Sequence, residues 1–124
     1  MIPHESHTHL HAFLDAMRGK DLEAMLSHMA DDMVLRTPLH TEPFRGKAAI
    51  RPVVEALLRV VDQFDFREIL QGPQHVGVFF AVRVGELSLD GMDYVRLDAT
   101  GRLCELTVLW RPLPTVIAVH ARLG

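Results

Sequence analysis

The sequence predicts an α+β fold in which three N-terminal helices pack on a strongly curved, mostly antiparallel sheet. Three observations carry this expectation. Apolar residues recur at helical spacing in segments 7–18, 21–29 and 47–60; strand after strand follows from residue 64; and residues 92–111, MDYVRLDATGRLCELTVLWR, read as two long strands folded back through DATG. At 124 residues the chain is expected to be one domain spanning 1–124, with residues 1–9 a frayed end that enters the first helix.

In the first helix Leu10, Phe13, Leu14 and Met17 share a face, and Gly19 ends the run. Asp21 caps a second helix with the stripe Leu22, Met25, Leu26 and Met29, closed by Ala30, Asp31 and Asp32. MVLRT is then the first strand, stopped by Pro38, because proline donates no hydrogen bond and restricts its predecessor. PLHTEPFRG is a loop. The third helix, 47–60, has a wide apolar stripe through Ile50, Val53, Val54, Leu57 and Leu58; placing Pro52 in its first turn would start it near Arg51. Residues 64–70 alternate, QGPQ turns the chain, and 75–84 is apolar enough for a strand covered on both faces. Gly85 interrupts the pattern, which resumes at 86–89 and passes through Asp90 and Gly91 into the hairpin. The tail from residue 113 fits a short helix through Val116, Ile117, His120 and Leu123, although its β-branched residues also suit a strand.

Period-two alternation divides the hairpin. With Leu97 opposite Arg102, Asp93 falls opposite Leu106, and Asp93, Val95 and Leu97 share a face with Arg102, Cys104, Leu106, Val108 and Trp110. Met92, Tyr94, Arg96, Leu103, Glu105, Thr107, Leu109 and Arg111 form the other face. Both are largely apolar, so both should be covered. A lone carboxylate, Asp93, on such a face is costly unless it pairs with Arg102, meets water, or stays protonated in a pocket and serves as a donor.

Composition narrows the partners. Net charge is −3, with 48% hydrophobic and 23% charged residues and no block of Lys or Arg, which argues against nucleic acid and against a polybasic membrane anchor. The single cysteine, Cys104, makes no internal disulfide and reads as a buried strand thiol. No segment reaches membrane-spanning length and the start lacks a signal-peptide pattern, so a cytoplasmic soluble protein is expected. No glycine-rich phosphate loop, HExxH, paired-cysteine site or serine elbow occurs, so no cofactor and no metal are expected. His4, His7, His9 and His11 suggest a metal-binding tail, but no Cys, Asp or Glu joins them at a fixing spacing, and a helix entry accounts for them better.

The order of elements, the stretch ADDMVLRTP after two helices, FRG before the third helix, and MDYVRLDATGRL leading into LTVLW resemble the NTF2-like superfamily, in particular its SnoaL-like and ketosteroid-isomerase-like branches, over residues 10–111. The resemblance implies a cone-shaped, cystatin-like fold with a deep apolar pocket and a homodimer through the outer sheet face. It also implies a residue-by-residue comparison with ketosteroid isomerases. Thr37, before Pro38, stands where that family has its aspartate base, and Phe13 stands where it has a tyrosine donor. Asp93 matches the protonated aspartate of the oxyanion site, and Trp110 the tryptophan beside it. Threonine is too weak a base and phenylalanine has no donor, which speaks against steroid isomerisation. His40 and Glu42 are the nearest replacement bases.

The expected site therefore has Asp93 as acid or donor, His40 as base, and a pocket lined by Phe13, Met17, Leu35, Thr37, Val95, Val108 and Trp110, with Met29 a further candidate. Phe13, Met17, Met29 and Leu35 equally suit a plain core. Arg36, Tyr94, Arg96, Glu105, Thr107 and Arg111, mixed with Met92, Leu103 and Leu109, suit a dimer surface or a solvated face. Three roles follow: an isomerase-, cyclase- or hydrolase-type acid–base enzyme on a small hydrophobic molecule, a non-catalytic binder of such a molecule, or a dimeric structural or interaction domain.

Overall fold

A computed structural model describes residues 7–123. In chain order the elements are α1 (Thr8–Arg18), α2 (Leu22–Ser27), β1 (Met29–Arg36), β2 (Phe44–Arg45), α3 (Lys47–Val60), β3 (Gln63–Gln71), β4 (His75–Val84), β5 (Leu87–Leu97), β6 (Leu103–Arg111) and α4 (Leu113–Leu123). The strands form one six-stranded sheet in the order β2-β1-β6-β5-β4-β3.

This architecture corrects the expected fold. The sheet is open, with β2 and β3 at its edges, and mixed, because β1 runs parallel to β6 while its neighbours pair antiparallel. It is not the strongly curved, cone-forming sheet that the resemblance implied. Two helices, not three, precede the first strand, and α3 follows β1 and β2. Alternation in a sequence assigns faces, but it does not say which strand returns beside which; here β6 comes back to β1 after the β3–β5 meander.

Local chemistry explains most element boundaries. The Asp21 carboxylate accepts from the Ala24 N–H at 3.1 Å and starts α2. That helix stops at Ser27, earlier than expected, since pairing with β6 claims Met29 for the sheet opposite Leu103. Gly46, at φ 85°, lets α3 begin at Lys47, which leaves Pro52 inside the helix instead of in its first turn. The loop between Pro38 and Gly46 contributes β2, paired to β1 through Val34–Arg45 and Leu35–Phe44. β5 is continuous through Asp90 and Gly91, and the tail is helical. Residues 8 and 9 already belong to α1, and His7 is buried, its Nε2 donating to the Gly72 carbonyl at 3.2 Å; the rest of the supposed frayed end, with His4, lies outside the described residues.

The hairpin register also differs. Asp98 accepts from Thr100 N–H (2.9 Å), the Thr100 hydroxyl (2.6 Å) and Arg102 N–H (3.1 Å), so the turn reaches Arg102, and a shift between Arg96 and Leu97 sets Leu97 opposite Leu103. Asp93 therefore faces Val108, not Leu106. The shift turns Leu103 inward, where it is fully buried, and leaves Cys104 partly exposed. Residues before the shift keep their faces. The inner face meets α1, α2 and α3 in a core that includes Leu10, Phe13, Met25, Ile50, Val78 and Val95.

Candidate ligand cavity

Between that inner face and the helices lies a cavity of about 430 Å³. α1 supplies Phe13 and Met17, β1 Leu35, the loop after it Thr37 and His40, and β6 Val108 and Trp110. α3 closes another side with Val53, Val54 and Leu57, and α4 adds His120 and Leu123. Its walls are overwhelmingly apolar.

Asp93 is the exception. It sits mid-strand in β5 between Val78 of β4 and Val108 of β6, is 5% exposed, and lines the cavity. Among the described residues it receives no hydrogen bond and no ion pair, and the expected alternative of pairing with Arg102 does not occur. Burial alone pushes its carboxyl up to about 7, since the charged form has lost its water without gaining a partner. Near neutral pH the group is thus divided between acid and carboxylate. The acid form can donate a hydrogen bond, and the carboxylate can accept a proton or face a cation.

The second polar feature is at the rim. Thr37 Oγ1 accepts from the Leu39 N–H at 3.1 Å and lies 2.7 Å from His40 Nδ1, while the His40 ring stands edge-on to Phe44 with centroids 4.9 Å apart. His40 is exposed. If Nδ1–H donates to Thr37, Nε2 carries the free lone pair and can act as a base; the opposite tautomer makes Nε2 a donor. Thr37, too weak to abstract a proton itself, can in this way orient the histidine. His120, on α4, is likewise exposed where it lines the cavity.

The structure brings Asp93, His40, Phe13, Met17, Leu35, Thr37, Val108 and Trp110 to one space. Val95 is not among them: it is 1% exposed, held between Val76 and Leu106, and packed into the core. Sharing a face with Asp93 was not enough, because two residues toward the hairpin the same face is filled. Glu42 does not line the cavity either, and His75 is on the outer face with Tyr94, whose hydroxyl is 2.5 Å from its Nδ1. Sequence reasoning missed the contributions of Phe64, Phe66 and Phe80, although the strand alternation was visible.

Among the described residues, no group of three or more His, Cys, Asp or Glu side chains is placed to hold a metal ion, and no helix is long and apolar enough to cross a membrane. His9 and His28 pair through Nδ1 atoms 2.9 Å apart.

Comparison with known proteins places this geometry in context. The fold matches a steroid delta-isomerase from Pseudomonas aeruginosa with a TM-score of 0.88 at 25% identity, covering 98% of this chain and 90% of that one. It matches a cystatin-like protein from Silicibacter pomeroyi with a TM-score of 0.89 at 22% identity, covering 97% and 85%. The epoxide hydrolase/cyclase-like enzyme SalBIII, of pyran ring formation in salinomycin, matches at 0.76 and 15% identity, covering 89% and 95%. No curated protein matches the sequence. The SnoaL-like domain model matches residues 10–106, most of the cavity-forming chain, and the protein belongs to that family.

Proposed function

We propose that the protein is an acid–base enzyme for a small hydrophobic molecule, of the isomerase, cyclase or hydrolase type. The observation that carries this reading is a buried, unpartnered carboxyl facing an apolar cavity whose rim holds an imidazole. In this mechanism the substrate oxygen accepts a hydrogen bond from the protonated Asp93. His40 Nε2 removes a proton from the substrate, the electron pair moves toward that oxygen, and Asp93 stabilises the charge that develops. An apolar enclosure strengthens such a bond because no water competes for it. Membership beside isomerase and cyclase-like structures supports the class of reaction.

The reading also includes a cytoplasmic, single-domain protein that dimerises through its outer sheet face. Phe79, Tyr94 and Leu109 are exposed there, next to the partly buried Met92, and apolar and aromatic residues of this sort suit an interface. A second reading, a binder without turnover, is favoured by one observation: Thr37 and Phe13 line the cavity, at positions where the resemblance to ketosteroid isomerases implies a carboxylate base and a tyrosine donor.

Protein isolated directly from cells and analysed by native mass spectrometry should retain an apolar ligand, which then serves as the test substrate. Enzyme action predicts turnover that falls by about a hundredfold in Asp93→Asn and by a similar factor in His40→Ala. Binding unaccompanied by turnover selects the second reading. An empty cavity with no response to either substitution contradicts both.

A further inference from the structure

The cavity has an electrostatic character as well as a shape. Among the described residues its ionisable lining groups are Asp93, His40 and His120, and no lysine or arginine contributes to it. The two histidines are exposed and mark the mouth, whereas Asp93 is buried and marks the interior. A ligand that reaches Asp93 therefore places its polar group in the interior.

Among the described residues, the benzene and indole rings of Phe13, Phe44, Phe64, Phe66, Phe80 and Trp110 line the same space. Their faces carry negative electrostatic potential and attract cations once water is excluded. Phe66 already meets a cation outside the cavity, at a partly solvent-exposed site. The Arg18 guanidinium carbon lies 4.9 Å from the Phe66 ring centroid, although Arg18 does not line the cavity. An acidic group without a counter-ion, in an aromatic enclosure without a fixed cation, is complementary to a positive charge supplied by the ligand.

We propose that the cavity binds hydrophobic amines, with the protonated nitrogen against the Asp93 carboxylate and the hydrocarbon body among the aromatic rings. The inference rests on the cavity being a ligand site, as above, and names a ligand that occupies it without undergoing the reaction above, since an amine ionises the acid form of Asp93 on which that reaction depends. Its proton balance closes for either form of the amine: an ammonium entering against the acid form of Asp93 releases that proton to solvent. A neutral amine meeting the acid form of Asp93 takes that proton, so ammonium and carboxylate appear together and the net charge of the complex equals that of its components. The pair then satisfies a carboxylate that is otherwise buried alone. A simple hydrocarbon leaves Asp93 as it was.

Three probes of one size separate the possibilities: a phenyl-substituted N-methylpiperidine, phenylcyclohexanone and phenylcyclohexane. Trp110 is the only tryptophan and lines the cavity, so its fluorescence reports occupancy at neutral pH. The amine should bind at least about tenfold more tightly than the hydrocarbon. Asp93→Asn should abolish that preference, because a neutral amide carries no charge to set against the ammonium. In the unsubstituted protein the Asp93 carboxyl carbon resonance should move to its ionised position with the amine and not with the ketone, a readout that needs no variant to fold. Ketone binding without any amine preference, or a preference that survives Asp93→Asn, overturns the amine inference alone. Failure of all three probes to bind overturns it together with the ligand-cavity reading.

Discussion

Glu105 and Asp93 lie on adjoining strands and face opposite sides of the same sheet. On the outer side Glu105 is bridged by Arg36 and, at 3.4 Å, by Arg96, all three partly open to solvent. On the inner side Asp93 has no cation among the described residues and is 5% exposed. Solvated pairs of the first kind contribute little, since water and salt screen them. A buried carboxylate of the second kind costs several kcal/mol, which the protein avoids by keeping the group protonated. The outer charge decorates the surface, while the inner one ties stability to its own protonation.

The largest contrast concerns pH. Asp93 is raised from 3.8 to about 7, so the folded state holds a proton that the unfolded state has released between these values. Stability therefore falls as pH rises through that window, by up to about 4 kcal/mol for the full displacement. Asp93→Asn removes this dependence: urea midpoints should show the variant gaining on the parent as pH rises, with the gain levelling off above pH 7 and disappearing below the ordinary carboxylate range. Parallel curves at all pH values would break the comparison.

Next in size is Gly91, two residues before Asp93 on the same face. An added Cβ would stand 1.9 Å from the Leu109 carbonyl oxygen and 3.2 Å from Phe80. Gly91→Ala should cost about 3 kcal/mol, equally at acid and neutral pH, in the same denaturation assay. That pH independence distinguishes a steric fault on the inner face from the ionisation of Asp93. Smaller again is Thr37→Val, which deprives both His40 and the Leu39 N–H of a partner. About 1 kcal/mol of stability should be lost, and nitrogen NMR should show His40 no longer held to one tautomer. The smallest effect is expected on the outer face. Glu105→Gln should change stability by less than about 1 kcal/mol, and added salt should shrink the difference.

Much of this contrast was legible in the sequence because alternation along β5 and β6 is a local property. It singled out Asp93 as an acidic residue on an apolar face, and the helical stripes found α1, α3 and α4. What escaped was non-local. The parallel pairing of β1 with β6 decides that Met29 leaves its helix, and the register shift near Leu97 decides that Leu103 turns inward. Nothing in the spacing of Val95 and Val108 says that one fills the core while the other faces open space; that depends on where the helices close on the sheet. Likewise the Thr37–His40 contact forms across a proline-containing loop whose path has no periodicity to read.

The ionisation of Asp93 in the ligand-free protein is the most direct measure of the central claim. Following its side-chain carboxyl resonance by NMR across the pH range should give a midpoint of about 7, moved downward when a hydrophobic amine fills the cavity. A midpoint at the ordinary 3.8 would mean that water or an unseen partner reaches the carboxyl, contradicting a dry site built around an unpaired acid.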